Sequence, residues 1–250
     1  ARAAALRGHA VELFEAGPAL GGQMLGALKP ARARKTLDHL RDYLVREVER
    51  LGVEVRLKTR WSTERLAEDA PDALVLASGA RPAPPTLPGA WDPRVVQAVD
   101  LLAGAAPAVA GDTVTVVIGG GLVGCEAALW LTRRGGRVAL VERGTRLAAR
   151  VSADLRSHLL WALDDAGVRV HTGTEATAID TAGVSCRGAS GEPAHLPAER
   201  IVLAAGAEAV AELWEEIEGR ADKIFRIGDC YAPRGIRQAL AEGHRAGTAI

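Results

Sequence analysis

The chain has 250 residues, of which 48% are apolar, which is enough for one large domain or two medium domains with cores of their own. Lys and Arg together number 31, as do Asp and Glu, and this balance argues against nucleic acid or an anionic membrane as the partner. The three cysteines are far apart and form neither a disulfide framework nor a metal or iron–sulfur ligand set, which indicates a reducing cytoplasm.

The first 17 residues read as the end of a helix, a strand at 11–14 and an acid, Glu15, that can bind a ribose. They superimpose without a gap on residues 128–144, so that Glu15 falls on Glu142 and Gly8 on Gly135. By analogy with a complete βαβ unit, the matching first strand and glycine turn would lie roughly 15 residues upstream of residue 1. We therefore expect this half to lack its first phosphate loop and the sequence to be a piece of a longer polypeptide.

The next 90 residues alternate between helices and short strands. A turn containing Gly21, Gly22 and Gln23 precedes an amphipathic helix at 32–51, and strands are predicted at 53–57 and 72–77. The second of these strands leads into Ser78 and Gly79. Five prolines between residues 82 and 93 indicate an extended crossover between domains, and 95–102 is predicted to form a short helix.

Residues 113–143 form the most informative stretch, since they predict a strand, a glycine-rich turn, a helix and a second strand. Gly119, Gly121 and Gly124 give G-x-G-x-x-G, in which the glycines allow the tight turn, the approach of a pyrophosphate and close helix packing. Glu142 ends the second strand about 20 residues on, where an acid accepts hydrogen bonds from an adenosine ribose. The stretch predicts a dinucleotide site; a degenerate unit that has lost its ligand is the alternative.

The remainder predicts a helix between Ser152 and Gly167, then β segments near 168–171, 176–180, 184–187 and 195–196 that form a small antiparallel meander. A buried strand at 201–205 ends at Gly206, and a last strand at 223–227 delivers Gly228 and Asp229 before the final helix at 235–249. These elements predict an α/β protein with two Rossmann-like halves, the first of which lacks its first βα phosphate loop in this sequence.

Several of these features occur together in one known architecture. The sequence has Gly-Gly-Gln after the first acid, strands that end in Ala-Ser-Gly and Ala-Ala-Gly, and a late Ile-Gly-Asp. This combination resembles the flavoproteins with two dinucleotide-binding domains, in which a second Rossmann domain is inserted into the first. The resemblance implies a split domain of 1–100 and 207–250 and an inserted domain of 110–206. Residues 225–247 resemble the C-terminal region of the bacterial old-yellow-enzyme-like family of trimethylamine dehydrogenase, histamine dehydrogenase and 2,4-dienoyl-CoA reductase. Gly-Asp-x-x-Ala-Pro-Arg favours the amine dehydrogenase and demethylase branch.

The resemblance implies cofactors and a further domain. It implies FAD, or only an ADP moiety, on the split domain, and NAD(P)H on the inserted one. In that family an N-terminal TIM barrel that carries FMN and a four-iron cluster performs the substrate chemistry, so we expect both groups only in a longer parent. The dinucleotides and this barrel are the expected partners, and the sequence leaves a homo-oligomer open.

The resemblance also assigns residues to cofactor sites, most of them to the flavin or ADP site, each with an ordinary structural alternative. Glu15 matches the ribose-binding acid, Gly22 and Gln23 the loop beside the flavin phosphates, and Trp61 the backbone that contacts the adenine. Gly79 and Gly206 would let the backbone pass a cofactor, and Gly228 with Asp229 would bind the ribityl chain and phosphate. The alternatives are a solvated acid, a plain turn, strand-ending glycines and an N-cap aspartate.

These observations predict the nucleotide-binding, electron-transferring portion of an FAD/NAD(P)-dependent flavoprotein oxidoreductase. A structural ADP-binding module without a redox role is the alternative. Glu142 favours NAD(H) over NADP(H), since a carboxylate repels a 2′-phosphate, although Arg143 and Arg146 are nearby. No residue pair suggests acid–base or nucleophilic catalysis, and the histidines lack metal spacing, so no catalytic or metal-binding residue is assigned.

Overall fold

A computed structural model describes residues 1–27, 34–106, 111–220 and 223–250. The helices among them are α1 Arg2–Leu6, α2 Met24–Ala27, α3 Arg34–Arg50, α4 Glu64–Asp69, α5 Ala98–Ala103, α6 Leu122–Thr132, α7 Ala153–Asp165, α8 Glu212–Ile217 and α9 Ile236–Ala249. The strands are β1 Glu12–Phe14, β2 Glu54–Arg56, β3 Leu74–Leu76, β4 Ala80–Pro82, β5 Val95–Gln97, β6 Val114–Ile118, β7 Arg137–Glu142, β8 Arg169–Thr172, β9 Glu175–Ile179, β10 Gly183–Arg187, β11 Pro193–Pro197, β12 Arg200–Leu203, β13 Ala207–Ala209 and β14 Ile224–Arg226.

These residues divide into two compact units. The first unit comprises Ala1–Leu25, Ala33–Arg81 and Ala207–Ile250, and the second is built on Pro82–Gly206.

The second unit is organised around a five-stranded sheet in the order β5-β12-β6-β7-β8, in which every neighbouring pair is parallel. The central strand, β6, has its middle residues buried and is a nearly continuous β-branched run, as is typical of a parallel sheet. One face packs in a cluster with residues of α5, α6 and α7, including Leu101, Leu131 and Leu163. The other face packs with residues of β9 and β10, including Ile179 and Val184. The predicted α/β fold with a parallel sheet is confirmed.

Two predictions within this unit are wrong in detail. Residues Val95–Gln97 form the edge strand β5 rather than the first turn of a helix, since pairing with β12 engages their backbone, and the helix begins only at Ala98. The meander is three-stranded, in the order β11-β10-β9, because β8 belongs to the parallel sheet beside β7.

In the first unit, β1 pairs in parallel with β2, β3 pairs in parallel with β14, and β4 lies beside β13. Helix α3 has Val48 buried and is followed by Gly52; its predicted start at Arg32 lies outside the described residues. A Cβ on Gly247 of α9 would come within 2.8 Å of the Ala3 side chain on α1, so these helices approach closely there. None of the helices described is both long and apolar enough to cross a bilayer.

Candidate functional site

The glycine-rich turn between β6 and α6 has little room for side chains. Gly119 has φ +108°, and a Cβ there would overlap the carbonyl oxygen of Ala204. A Cβ on Gly124 would overlap the carbonyl oxygen of Gly119. Only glycine fits at the first and third positions of the motif, because the start of α6 lies directly against the end of β6.

Gly121 differs from these two glycines because its surroundings are open. It has φ −68°, and a Cβ there would meet no atom within 4 Å. It is the N-cap of α6 and provides no side-chain capping bond. The first N–H groups of an α-helix have no partner within the helix, so this end presents donors and a positive dipole end to the open space. The turn thus has the shape and polarity that a pyrophosphate needs.

Glu142 lies at the end of β7, beside this turn. Its Oε2 accepts a hydrogen bond from the Gly120 N–H at 2.6 Å, and its Oε1 accepts one from the Gly144 N–H at 2.7 Å. The Gly120 carbonyl in turn accepts a bond from the Ala148 N–H at 2.7 Å. The acid is therefore held next to the glycines by two backbone donors, while its role as a ribose acceptor stays a prediction.

Two titratable residues near the start of α6 are partly or fully buried. Burial raises the pKa of the Cys125 thiol to about 12, with the charges of Glu126 and Glu142 adding to the effect. This thiol stays protonated and packs within the core, which agrees with a packing role. Burial also raises the pKa of Glu126 to about 7, so this carboxyl carries a proton over part of the neutral range.

The end of β1 in the first unit repeats the geometry of the end of β7. The Gly17 N–H donates to Glu15 Oε1 at 2.6 Å, as Gly144 does to Glu142. The Glu15 carbonyl accepts from the Thr59 N–H at 2.9 Å, and the Glu142 carbonyl accepts from the Thr174 N–H at 3.0 Å. Glu15 is thus placed in its unit as Glu142 is in the other.

The first unit has further glycines with open surroundings. Gly22 has φ +50° and no atom within 4 Å of a Cβ, and Gly79 has φ +78° with only the Gln23 amide nearby, at 3.4 Å. Gln23 donates from Nε2 to the carbonyl oxygen of Ala80 at 2.6 Å, so its side chain links its loop to β4. Gly206, the last residue of the second unit, has φ +110° and is similarly open.

Gly228 and Asp229 form a 3₁₀ turn, Gly228–Cys230, between β14 and α9. Asp229 Oδ1 accepts hydrogen bonds from the N–H groups of Arg234 and Gly235, at 2.8 and 3.0 Å, so it caps the turn before the helix. The side chain of Trp61 packs against the cluster of Leu76, Ile217 and Cys230. The side chain of Trp61 is therefore a packing residue, while the contact of its backbone with an adenine stays a prediction.

Two residues of these sites have roles that the motif alone did not assign. A Cβ on Gly120 would lie 2.7 Å from the Glu142 Cβ and would overlap Leu147, which explains why three glycines are consecutive. Glu242 on α9 accepts the N–H of Gly228 at 2.8 Å, a contact with no local sequence signal.

No group of three or more potential metal-ligating side chains occurs in the part of the chain that the structure describes.

Comparison with known proteins assigns the chain to a family. The model of the family described as pyridine nucleotide-disulphide oxidoreductase matches residues 1–244. The chain belongs to this family. Among curated relatives, an NADH oxidase of Thermoanaerobacter brockii is 36% identical over 244 residues, which cover 96% of this chain and 37% of that protein. A bilirubin reductase of Mediterraneibacter gnavus is 34% identical over 251 residues, covering 100% of this chain and 38% of the relative.

Solved structures show the same architecture. A 2-naphthoyl-CoA reductase complex is 26% identical, with a TM-score of 0.90 over 100% of this chain and 37% of that one. Histamine dehydrogenase from Rhizobium sp. 4-9 is 21% identical, with a TM-score of 0.88 over 100% of this chain and 41% of that one, a likeness of fold. These matches confirm the resemblance to the C-terminal region of the old-yellow-enzyme-like family.

The chain is therefore an FAD/NAD(P)-binding, electron-transferring portion of an oxidoreductase. It spans less than half the length of the relatives and structures above.

Proposed function

We propose that the second unit binds NAD(H) and the first unit binds FAD, or the ADP moiety alone. The NAD(H) site consists of Gly119, Gly121, Gly124 and Glu142. The flavin or ADP site consists of Glu15, Gly22, Gln23, Gly79, Gly228, Asp229 and the backbone at Trp61. Gly206 would let the backbone pass a cofactor. The domains are then 110–206 for NAD(H) and 1–100 with 207–250 for FAD, as the sequence predicts.

The observation that carries this proposal is the contrast among the three motif glycines. Gly119 and Gly124 face backbone atoms that a Cβ would overlap, whereas Gly121 faces open space at the N-terminus of α6. A side chain is excluded for packing reasons at Gly119 and Gly124 only. At Gly121, the open space and the helix N–H groups fit a bound pyrophosphate.

Glu142 supports NAD(H) over NADP(H). Its carboxylate is fixed by the N–H groups of Gly120 and Gly144, so it cannot swing away from a ribose that approaches the loop. A 2′-phosphate at that ribose would meet this negative charge at short range. Arg143 and Arg146 are exposed on the loop that follows, so the proposed preference rests on the charge of Glu142 alone.

The chain's own residues would bind and orient the cofactors rather than react. When bound, the nicotinamide supplies a hydride and the flavin accepts it, which is chemistry of the cofactors. The glycine turn would fix the pyrophosphate, Glu142 the adenosine ribose, and Asp229 the ribityl chain.

The protein that contains this chain is proposed to be a larger cytoplasmic oxidoreductase of the amine dehydrogenase, demethylase or enoate reductase type. Its curated relatives are named as an NADH oxidase and a bilirubin reductase, and each is more than twice as long as the matched region. An N-terminal TIM barrel with FMN and a four-iron cluster would receive or deliver the electrons.

The test is anaerobic addition of NADH to the purified full-length protein, with chromatographic identification of the extracted nucleotides. We expect FAD among them and reduction of the flavin by NADH. ADP in place of FAD would favour the structural ADP module instead. No flavin beyond FMN, together with no NAD(P)H-dependent flavin reduction, would contradict the proposal.

A further inference from the structure

Glu242 joins the two ends of the loop that follows β14. Its Oε2 accepts the N–H of Gly228 at 2.8 Å, at the start of the loop. Its Oε1 accepts a bond from Arg234 Nη2 at 2.6 Å, at the end of the loop. A single side chain on the second turn of α9 therefore fixes both ends of the segment that carries Asp229.

The contacts of Glu242 are well suited to holding a backbone in place. Its side chain is only 14% exposed, so water competes weakly for the two donors. The Gly228 N–H, followed by the Arg234 guanidinium, holds the pKa of this carboxyl below its usual range. The carboxylate is thus charged at neutral pH, and hydrogen bonds to a charged acceptor are the stronger kind.

The segment between these contacts is bounded by two glycines with positive φ. Gly228 is buried with φ +65°, and Gly235 at the other end has φ +109°. Asp229 Oδ1 bonds the N–H groups of Arg234 and Gly235, so the orientation of its carboxylate depends on where that end of the loop lies. Movement of Arg234 would therefore move the Asp229 carboxylate.

We propose that Glu242 is a positioning residue that holds the 228–235 loop, and with it Asp229, in the conformation that receives the flavin nucleotide. This inference rests on the proposed function, since it assumes that the loop contacts FAD. Glu242 would act through Gly228 and Arg234 and would not touch the cofactor.

Glu47 provides a matched control in the same unit. Its side chain is also 14% exposed and accepts hydrogen bonds from Arg2 at 2.8 Å and from Arg50 at 2.9 Å. It lies on α3 and bonds neither Gly228 nor Arg234 in the described structure. Glu47→Ala therefore removes an acid with similar burial and partners without releasing the loop.

The experiment measures FAD binding to the full-length protein by equilibrium dialysis, with FAD quantified chromatographically, alongside thermal unfolding. Glu242→Ala is expected to raise the Kd for FAD by about tenfold or more, the loss of about one strong hydrogen bond. Glu242→Gln keeps an oxygen for the Gly228 N–H but loses the charged acceptor for Arg234, so its Kd should lie between those of wild type and Glu242→Ala. Glu47→Ala should lower the melting temperature and leave the Kd for FAD unchanged.

The possible outcomes separate the two proposals. If wild type and Glu47→Ala bind FAD and Glu242→Ala binds it equally well, Glu242 is a structural residue only and this inference is wrong, while the flavin site stands. The inference is also wrong if Glu47→Ala weakens FAD binding as much as Glu242→Ala. If the wild-type protein binds no FAD, the proposed flavin site is wrong and the role of Glu242 falls with it.

Discussion

The carboxylate of Glu142 accepts the N–H of Gly120 at 2.6 Å, which joins the end of β7 to the middle of the glycine turn. A second bond, from the Gly144 N–H at 2.7 Å, holds the other carboxylate oxygen. The acid is thus preorganised next to the N-terminus of α6, and a ribose that binds there would not have to order it. Because preorganised groups lose little entropy on binding, this contact should affect affinity directly.

Replacement of Glu142 should weaken NADH binding and reduce discrimination against NADPH. Glu142→Ala removes the ribose acceptor and the charge that opposes a 2′-phosphate. The Kd for NADH should rise between about tenfold and a hundredfold, as expected for the loss of about 1.5–3 kcal/mol from a bond to a charged group. The ratio of the NADPH Kd to the NADH Kd should fall in the same titrations.

Asp180→Ala is the control for this variant. Asp180 also accepts two backbone N–H groups, from Ala182 and Gly183, but it lies in the turn between β9 and β10. It should leave both dinucleotide affinities unchanged. Equal effects of the two variants on NADH binding would show that Glu142 acts only through folding.

Gly121 and Gly124 should respond differently to alanine. The methyl group of Gly121→Ala meets no neighbouring atom and causes no backbone strain, so the free energy of unfolding should change by less than about 1 kcal/mol. Because this methyl group would occupy the proposed pyrophosphate space, the Kd for NADH should rise about tenfold or more. Gly124→Ala overlaps the Gly119 carbonyl and should cost about 3 kcal/mol or more. Urea unfolding and NADH titration measure the two effects. An unchanged NADH affinity in stable Gly121→Ala would contradict the assigned site.

Replacement of Thr115 should stabilise the protein. This side chain is fully buried in β6, and its hydroxyl has no hydrogen-bond partner. Thr115→Val replaces the unpaired hydroxyl with a methyl group of similar size, and the free energy of unfolding should increase by about 1–2 kcal/mol. Thr177→Val is the control, since Thr177 Oγ1 donates to the Ser185 carbonyl at 3.1 Å, and this change should not stabilise. A destabilised Thr115→Val protein would show that the hydroxyl has a partner in solution.

Glu126 should make stability depend on pH in the direction opposite to a salt-bridged acid. Burial raises its pKa from 4.5 to about 7, so between these values the folded chain holds a proton that the unfolded chain has lost. The contribution of Glu126 to the free energy of unfolding therefore falls as pH rises from 4.5 to 7 and is constant above that range.

Glu126→Gln tests this dependence. The variant should be more stable than wild type at pH 8, by about 1–3 kcal/mol, and the difference should vanish near pH 4. Urea unfolding at the two pH values measures it. Parallel stability profiles for the two proteins would contradict the raised pKa.

Sequence patterns predicted the repeat between the two units because it depends on short-range geometry. Gly8 and Gly135, aligned by sequence alone, have φ of +91° and +90°. Gly52 and Gly167, which follow α3 and α7, both have φ +71°. Positive φ is a local requirement that glycine satisfies, so it is visible in the sequence.

Features that depend on distant partners were not predictable in the same way. Residues 95–97 have a composition that suits either a strand or a helix, and only pairing with β12 decides between them. Glu242 lies 14 positions from Gly228 and resembles any exposed helix acid until the tertiary structure places it next to that N–H. The packing of Trp61 against Ile217 likewise joins segments far apart in the chain.

The most direct test of the account is to titrate NADH and FAD separately against the 250-residue chain. The sequence contains one complete G-x-G-x-x-G turn, and it lies in the second unit. We therefore expect NADH to bind more tightly than FAD, and Gly121→Ala to weaken NADH binding alone. Tighter binding of FAD than of NADH, or NADH binding that survives Gly121→Ala unchanged, would contradict the account.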